Sequence, residues 1–152
     1  ASEGGSNGGL LTGAALTQRP DLFGAVVIEV PLLDMLRYHR FSIARYWIPE
    51  YGSSEDPEQF KYIRAYSPYH NVRGDVAYPP TLLMTGASDS RVDPLHARKM
   101  AALLQAEGKG GPFLLRVETK AGHGQGKPTA KRLEEAADRF AFLVRPLGMK
   151  VR

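Results

Sequence analysis

The chain has 152 residues, 43% hydrophobic and 24% charged, so it can build a packed core and is too apolar for wholesale disorder. It contains no cysteine, which excludes a disulfide scaffold, a cysteine-ligated zinc site and a cysteine nucleophile. The formal charge of +4 is uneven, with 7 basic and 9 acidic residues in positions 1–76 against 13 and 7 in positions 77–152; the basic residues form no long run and alternate with no aromatic platform, so a solvated surface is expected and no nucleic-acid partner.

In chain order, residues 1–9 are small and polar and lack the apolar stretch of a signal peptide. Residues 8–18 read as a helix that begins among glycines and stops before Pro20. Residues 23–30 form a continuous apolar run rich in β-branched side chains, as a buried parallel strand would. Its purely apolar part, 25–28, is short, and no apolar run in the chain exceeds five residues; no membrane-spanning helix, and no membrane partner, is expected. Residues 34–47 place Leu36, Ile43 and Trp47 at helical spacing before Pro49, and residues 57–66 read as a further helix. Residues 69–80 look like a loop closed by Pro79 and Pro80, followed by a strand at 81–85. Residues 94–107 are an amphipathic helix with Leu95, Met100, Leu103 and Leu104 on one face and Gly108 ending it. A third strand is expected at 112–117, and a closing helix at 128–147 with Leu133, Ala137, Phe140 and Val144 on its buried stripe. Strands separated by helices predict an α/β fold with a parallel sheet.

Three features point to nucleophilic catalysis. Residues 4–8 match G-x-S-x-G, which puts Ser6 on a tight turn running into a helix, with glycines where neighbouring backbone passes close and amide N–H groups facing an oxyanion. His123 lies in a glycine-rich loop, residues 120–126, just past the third strand; His39 and His96 sit in helical patterns and His70 in a turn. Asp89 follows the second strand, where parallel sheets carry active residues, while Asp93 reads equally as a helix cap and Asp75 has no strand before it. The order Ser6, Asp89, His123 is that of the α/β-hydrolases. Residues 122–129 depart from a phosphate loop at both its first glycine and its final hydroxyl position, and no metal-ligand spacing occurs, so neither a cofactor nor a metal is expected.

Residues 4–11 (GGSNGGLL), 18–23 (QRPDLF), 67–72 (SPYHNV), 89–92 with 94–96, and 119–130 (TKAGHGQGKPTA) together resemble the prolyl oligopeptidase family of serine peptidases over nearly the whole chain. The resemblance implies an α/β-hydrolase fold in which Ser6 is the nucleophile, His123 the general base and then acid, and Asp89 the residue that orients the imidazole. It implies the Asn7 amide as an oxyanion donor and Trp47 as the ring that stacks on a substrate proline. Tyr51, Ile43 and Val92 match pocket-lining positions, Leu32 stands where the family often has valine, and Arg91 matches an arginine that binds the carbonyl upstream of the proline. The implied activity is cleavage after proline in short peptides. An inert piece of such an enzyme and an esterase or lipase of the same fold remain alternatives. The family also carries a β-propeller, early sheet strands and a tyrosine oxyanion donor upstream of the nucleophile. Residues 1–152 are therefore expected to be the C-terminal part of a catalytic domain lacking the N-terminal part of its own chain and the strand leading into Ser6. The first methionine, Met35, fits the same expectation. A cytoplasmic location is expected, with the periplasm equally open to a chain without cysteine.

Overall fold

The computed structural model describes residues 1–119, 121–124 and 128–150. Four strands form one parallel sheet in the order β1-β2-β4-β6: β1 (Ser2–Gly5), β2 (Val26–Glu29), β4 (Thr81–Gly86) and β6 (Phe113–Glu118). A two-residue ladder joins β3 (Ala77–Tyr78) to β5 (Lys109–Gly110). Side chains alternate across the sheet as the pleat requires. Val26, Ile28 and Leu83 pack with Leu16 of α1 (Asn7–Gln18) and with Ala97, Met100, Ala101 and Leu104 of α4 (Leu95–Glu107). Val27, Leu82 and Met84 face the other way, onto Phe142 and Leu143 of α5 (Thr129–Val144). The expected α/β fold with a parallel sheet is therefore present, with α1 and α4 on one face and α5 on the other. Among the described residues no helix is long and apolar enough to cross a membrane.

Three expectations change. The strand leading into Ser6 is present: Ser2 to Gly5 pair in parallel register with Val26 to Glu29, and the Ser6 amide continues the ladder by donating to the Glu29 carbonyl at 2.9 Å. Its sequence, SEGG, hid it, because a ladder is made by backbone groups and an edge strand needs few apolar side chains. Residues 34–47 form no single helix but two 3₁₀ turns, Tyr38–Arg40 and Ala44–Trp47, before the short α2 (Ile48–Tyr51). The Asp34 side chain accepts the Arg37 amide, Phe41 is extended, and Ser42 has a φ of 49°, so the helical ladder cannot propagate. Finally, α5 faces the sheet with Phe142 and Leu143, whereas Leu133 and Phe140 of the predicted stripe are 66% and 59% exposed. The helix at 57–66 is found at its expected bounds as α3 (Pro57–Tyr66), with the Asp56 carboxylate accepting the Glu58 and Gln59 amides.

The glycines around Ser6 are not equivalent. A Cβ on Gly4 would collide with the Gly8 carbonyl and stand 2.5 Å from Thr12 Oγ1, whereas one on Gly8 meets nothing within 4 Å. Gly4→Ala is expected to cost about 1–3 kcal/mol through overpacking. Gly8→Ala, inside α1, is expected to be neutral or to gain up to about 1 kcal/mol of helix propensity. Urea melts of the two variants check the contrast; equal losses would contradict it.

Candidate active site

Because all four strands are parallel and in register, the segments that leave their carboxyl ends converge at one edge of the sheet. Ser6 leaves β1 with φ 56° and ψ −117°, a left-handed backbone that a serine adopts at a cost of about 1–3 kcal/mol. It stands at the N-cap of α1 yet makes no capping hydrogen bond. Its hydroxyl faces His123 instead, with Oγ 3.0 Å from Nε2. The other imidazole nitrogen, Nδ1, lies 2.7 Å from Asp89 Oδ2.

Asp89 follows β4 and its side chain is fully buried. Burial pushes its carboxyl up, but the His123 hydrogen bond and the Val92 and Arg91 amides, each donating to Oδ1 at 2.9 Å, outweigh it and hold the group below the usual carboxylate range. An ionised Asp89 only accepts, so the proton of a neutral imidazole sits on Nδ1 and Nε2 can accept from the Ser6 hydroxyl. The loop that delivers His123 docks on the end of β4. The Ser88 amide donates to the Ala121 carbonyl at 3.2 Å, and Gly86 leaves room for that carbonyl where a Cβ would overlap it. Residues 120, 125 and 126 of the expected glycine loop lie outside the described residues. The competing residues have other partners: Asp93 accepts the Leu95 amide at 2.9 Å at the start of α4, and Asp75 is exposed beside Arg73. His39 lies 3.3 Å from Glu55, and His70 and His96 face Ser67 and the Leu33–Asp34 backbone.

Asn7 is the first residue of α1, so its amide N–H has no intrahelical acceptor and points out of a helix N-terminus. The Tyr51 hydroxyl donates to Asn7 Oδ1 at 2.8 Å, a link the sequence reading did not anticipate. Burial, with Glu50 nearby, pushes the Tyr51 phenol up to about 12, so it stays a donor at ordinary pH. Leu32 and Val92 are buried in one cluster with Leu10, Met35 and Tyr38, and Trp47 and Tyr51 pack against its edge. Ile43 and Arg91, next in sequence to cluster members Ala44 and Val92, are exposed. A cleft of about 410 Å³ runs along Asn7, Leu10, Leu11, Ala14, Tyr51 and Tyr66. Among the described residues no group of His, Asp and Glu has the grouping to hold a metal ion.

A hydroxyl, an imidazole and a buried carboxylate hydrogen-bonded in file, at the carboxyl edge of a parallel sheet and beside a helix N-terminus, define an α/β-hydrolase-type centre suited to acyl transfer. The model of the prolyl oligopeptidase family matches residues 1–150, and the chain belongs to that family of serine peptidases. It is 47% identical over 152 residues to prolyl oligopeptidase A of Amanita bisporigera, covering 98% of this chain and 20% of that protein. It is 45% identical to a prolyl endopeptidase of Elizabethkingia miricola, covering 99% of this chain and 22% of the relative. A solved prolyl endopeptidase structure superposes with a TM-score of 0.94 at 55% identity, over 97% of this chain and 22% of that one. The chain thus spans about a fifth of the length of these relatives.

Because Asp89 titrates lower folded than unfolded, its ionised form contributes stability that is in place above the unfolded value of about 3.9 and lost as the pH falls through the lowered folded value. The stability margin over Asp89→Asn in urea melts is therefore expected to stand at about pH 5 and to shrink below about pH 4. A margin that grows on acidification would contradict this assignment.

Proposed function

We propose that the chain carries the catalytic centre of a serine peptidase that cleaves after proline in short peptides, without metal or cofactor. The observation that carries the reading is the file Asp89, His123, Ser6, with spacings of 2.7 and 3.0 Å. Ser6 Oγ attacks the carbonyl carbon on the carboxyl side of proline as its proton passes to His123 Nε2. The oxyanion faces the Asn7 amide. His123 then returns the proton to the departing amine, the C–N bond breaks, and a Ser6 ester remains. Water, deprotonated by His123, attacks that ester; the acid leaves and Ser6 recovers its proton. Asp89 stays ionised throughout, fixing the ring tautomer and stabilising the imidazolium.

Leu32, Val92, Trp47 and Tyr51 supply an apolar wall for the pyrrolidine ring, with the flat Trp47 indole suited to stack on it. Ile43 and the exposed Arg91 extend that wall, Arg91 toward the carbonyl preceding the proline. Two observations favour a second reading, in which turnover needs further polypeptide: the chain spans about a fifth of its relatives, and Leu133 and Phe140 are left exposed. An esterase preference is the third alternative, which a comparison of acyl esters with prolyl peptides decides.

The test combines a fluorophosphonate probe with a succinyl-Gly-Pro fluorogenic peptide. Stoichiometric labelling is expected at Ser6, abolished in Ser6→Ala and slowed by at least about 10³ in His123→Ala. Equal labelling of the parent and Ser6→Ala would overturn the nucleophile. Stoichiometric labelling at Ser6 would contradict an inert piece, and a chain that neither labels nor turns over peptide would favour the second reading.

A further inference from the structure

A buried carboxylate that the chemistry does not use lies behind the candidate substrate wall. Asp34 stands two residues past Leu32 on the segment leaving β2, and it is fully buried. Its carboxylate pairs with Lys99 of α4 and with Arg37 Nη1 at 3.3 Å, and its Oδ1 lies 3.7 Å from His70 Nε2. The backbone of the same segment is held separately. The Leu33 and Asp34 amides donate to His96 Nδ1 at 3.3 and 3.1 Å, and the Met35 amide donates to Ser67 Oγ at 3.0 Å. Ser67 Oγ in turn lies 2.8 Å from His70 Nδ1, and the Lys99 ammonium sits 4.2 Å over the Tyr69 ring.

Four charged or titratable groups, Lys99, Arg37, His70 and His96, thus surround Asp34 from three parts of the chain. These are α4, the 3₁₀ turn Pro68–Asn71 and the Asp34 segment itself. Those parts also carry the candidate wall. Leu32 precedes Asp34, the segment beyond it leads through Tyr38 to Trp47, and Val92 precedes α4.

We propose that Asp34 is a positioning residue for the substrate pocket: its contacts with Lys99 and His70 lock the wall that carries Leu32 and Trp47 against the wall that carries Val92. A buried carboxylate is costly unless its partners are fixed in space, so its pairing selects one docking of the post-β2 segment on α4 where an apolar side chain would accept several. Leu32 and Val92, buried in one cluster with Trp47 on its edge, are what that docking produces. This inference rests on the peptidase reading for what the pocket binds, but not for the placement itself.

Trp47 is the chain's sole tryptophan, so its fluorescence reads the wall directly. In Asp34→Asn the acrylamide quenching constant of Trp47 is expected to rise about twofold, as local packing loosens. The KM for the Gly-Pro peptide should rise about tenfold, with a smaller fall in kcat and in the Ser6 labelling rate passed on through the Val92 amide that binds Asp89. Leu143→Ala, in the packing on the opposite face of the sheet, is the control: it should lower the melting temperature without moving Trp47 quenching. If Asp34→Asn does not fold, Lys99→Gln decides, since that side chain is 30% exposed and its loss should raise quenching in the same direction. Unchanged quenching in the folded variants, or an equal rise in Leu143→Ala, would overturn the proposal. Because the quenching comparison needs no turnover, a wild-type chain that neither labels nor cleaves bears on the peptidase reading alone, and quenching still decides the role of Asp34.

Discussion

Everything at the candidate site hangs on one constraint, the in-register parallel pairing of four strands. Gly5, Glu29, Gly86 and Glu118 end their strands at the same edge, and the chain leaves each of them into a different segment of the candidate site. Ser6 follows the first, the Asp34 segment the second, Asp89 the third and His123 the fourth. Residues 117 positions apart meet at 3.0 Å because a backbone ladder fixes their points of departure. The helices on either face cover that ladder, and burial of residues such as Ile28 and Leu83, about 1.5–3 kcal/mol each, is the main source of its stability.

Charge placement then does what topology alone cannot. A buried acid beside an imidazole could sit protonated and donate, which would turn the ring the wrong way. The two amides that bind Asp89 Oδ1 come from the turn immediately after it, so the same few residues that deliver the carboxylate also keep it ionised. Tyr51 acts similarly on Asn7. One residue of the proposed wall fixes the side chain of Asn7, whose amide is the proposed oxyanion donor, and the Val92 amide on Asp89 gives the proposed wall a second tie to the candidate centre.

Much of this was legible in the sequence. The apolar runs of β2 and β4 and the amphipathic face of α4 stand out by periodicity, and the order Ser6, Asp89, His123 announced the fold before any coordinates. Other elements were hidden for identifiable reasons. The segment SEGG pairs through its backbone, so no side-chain pattern marks it as a strand. Leu36, Ile43 and Trp47 keep helical spacing by coincidence; Leu36 and Trp47 reach the same cluster from irregular turns, whereas Ile43 stays exposed. On α5 the apolar stripe and the sheet-facing residues are different sets, and periodicity reports only that a stripe exists. Asp34 did leave a trace, a lone acid inside the apolar stretch 31–36, yet its partners Lys99 and His70 are set by tertiary structure.

The backbone of Ser6 carries a wider consequence. A serine at a helix N-cap normally closes the first turn with its own hydroxyl, and a residue with positive φ is normally glycine. This chain forgoes both, leaving a strained residue and open amides at the carboxyl edge of the sheet. A chain with glycine at position 6 would relax that strain and, on the proposed mechanism, lose its nucleophile in the same step. On that mechanism, ease of folding and acyl transfer pull position 6 in opposite directions.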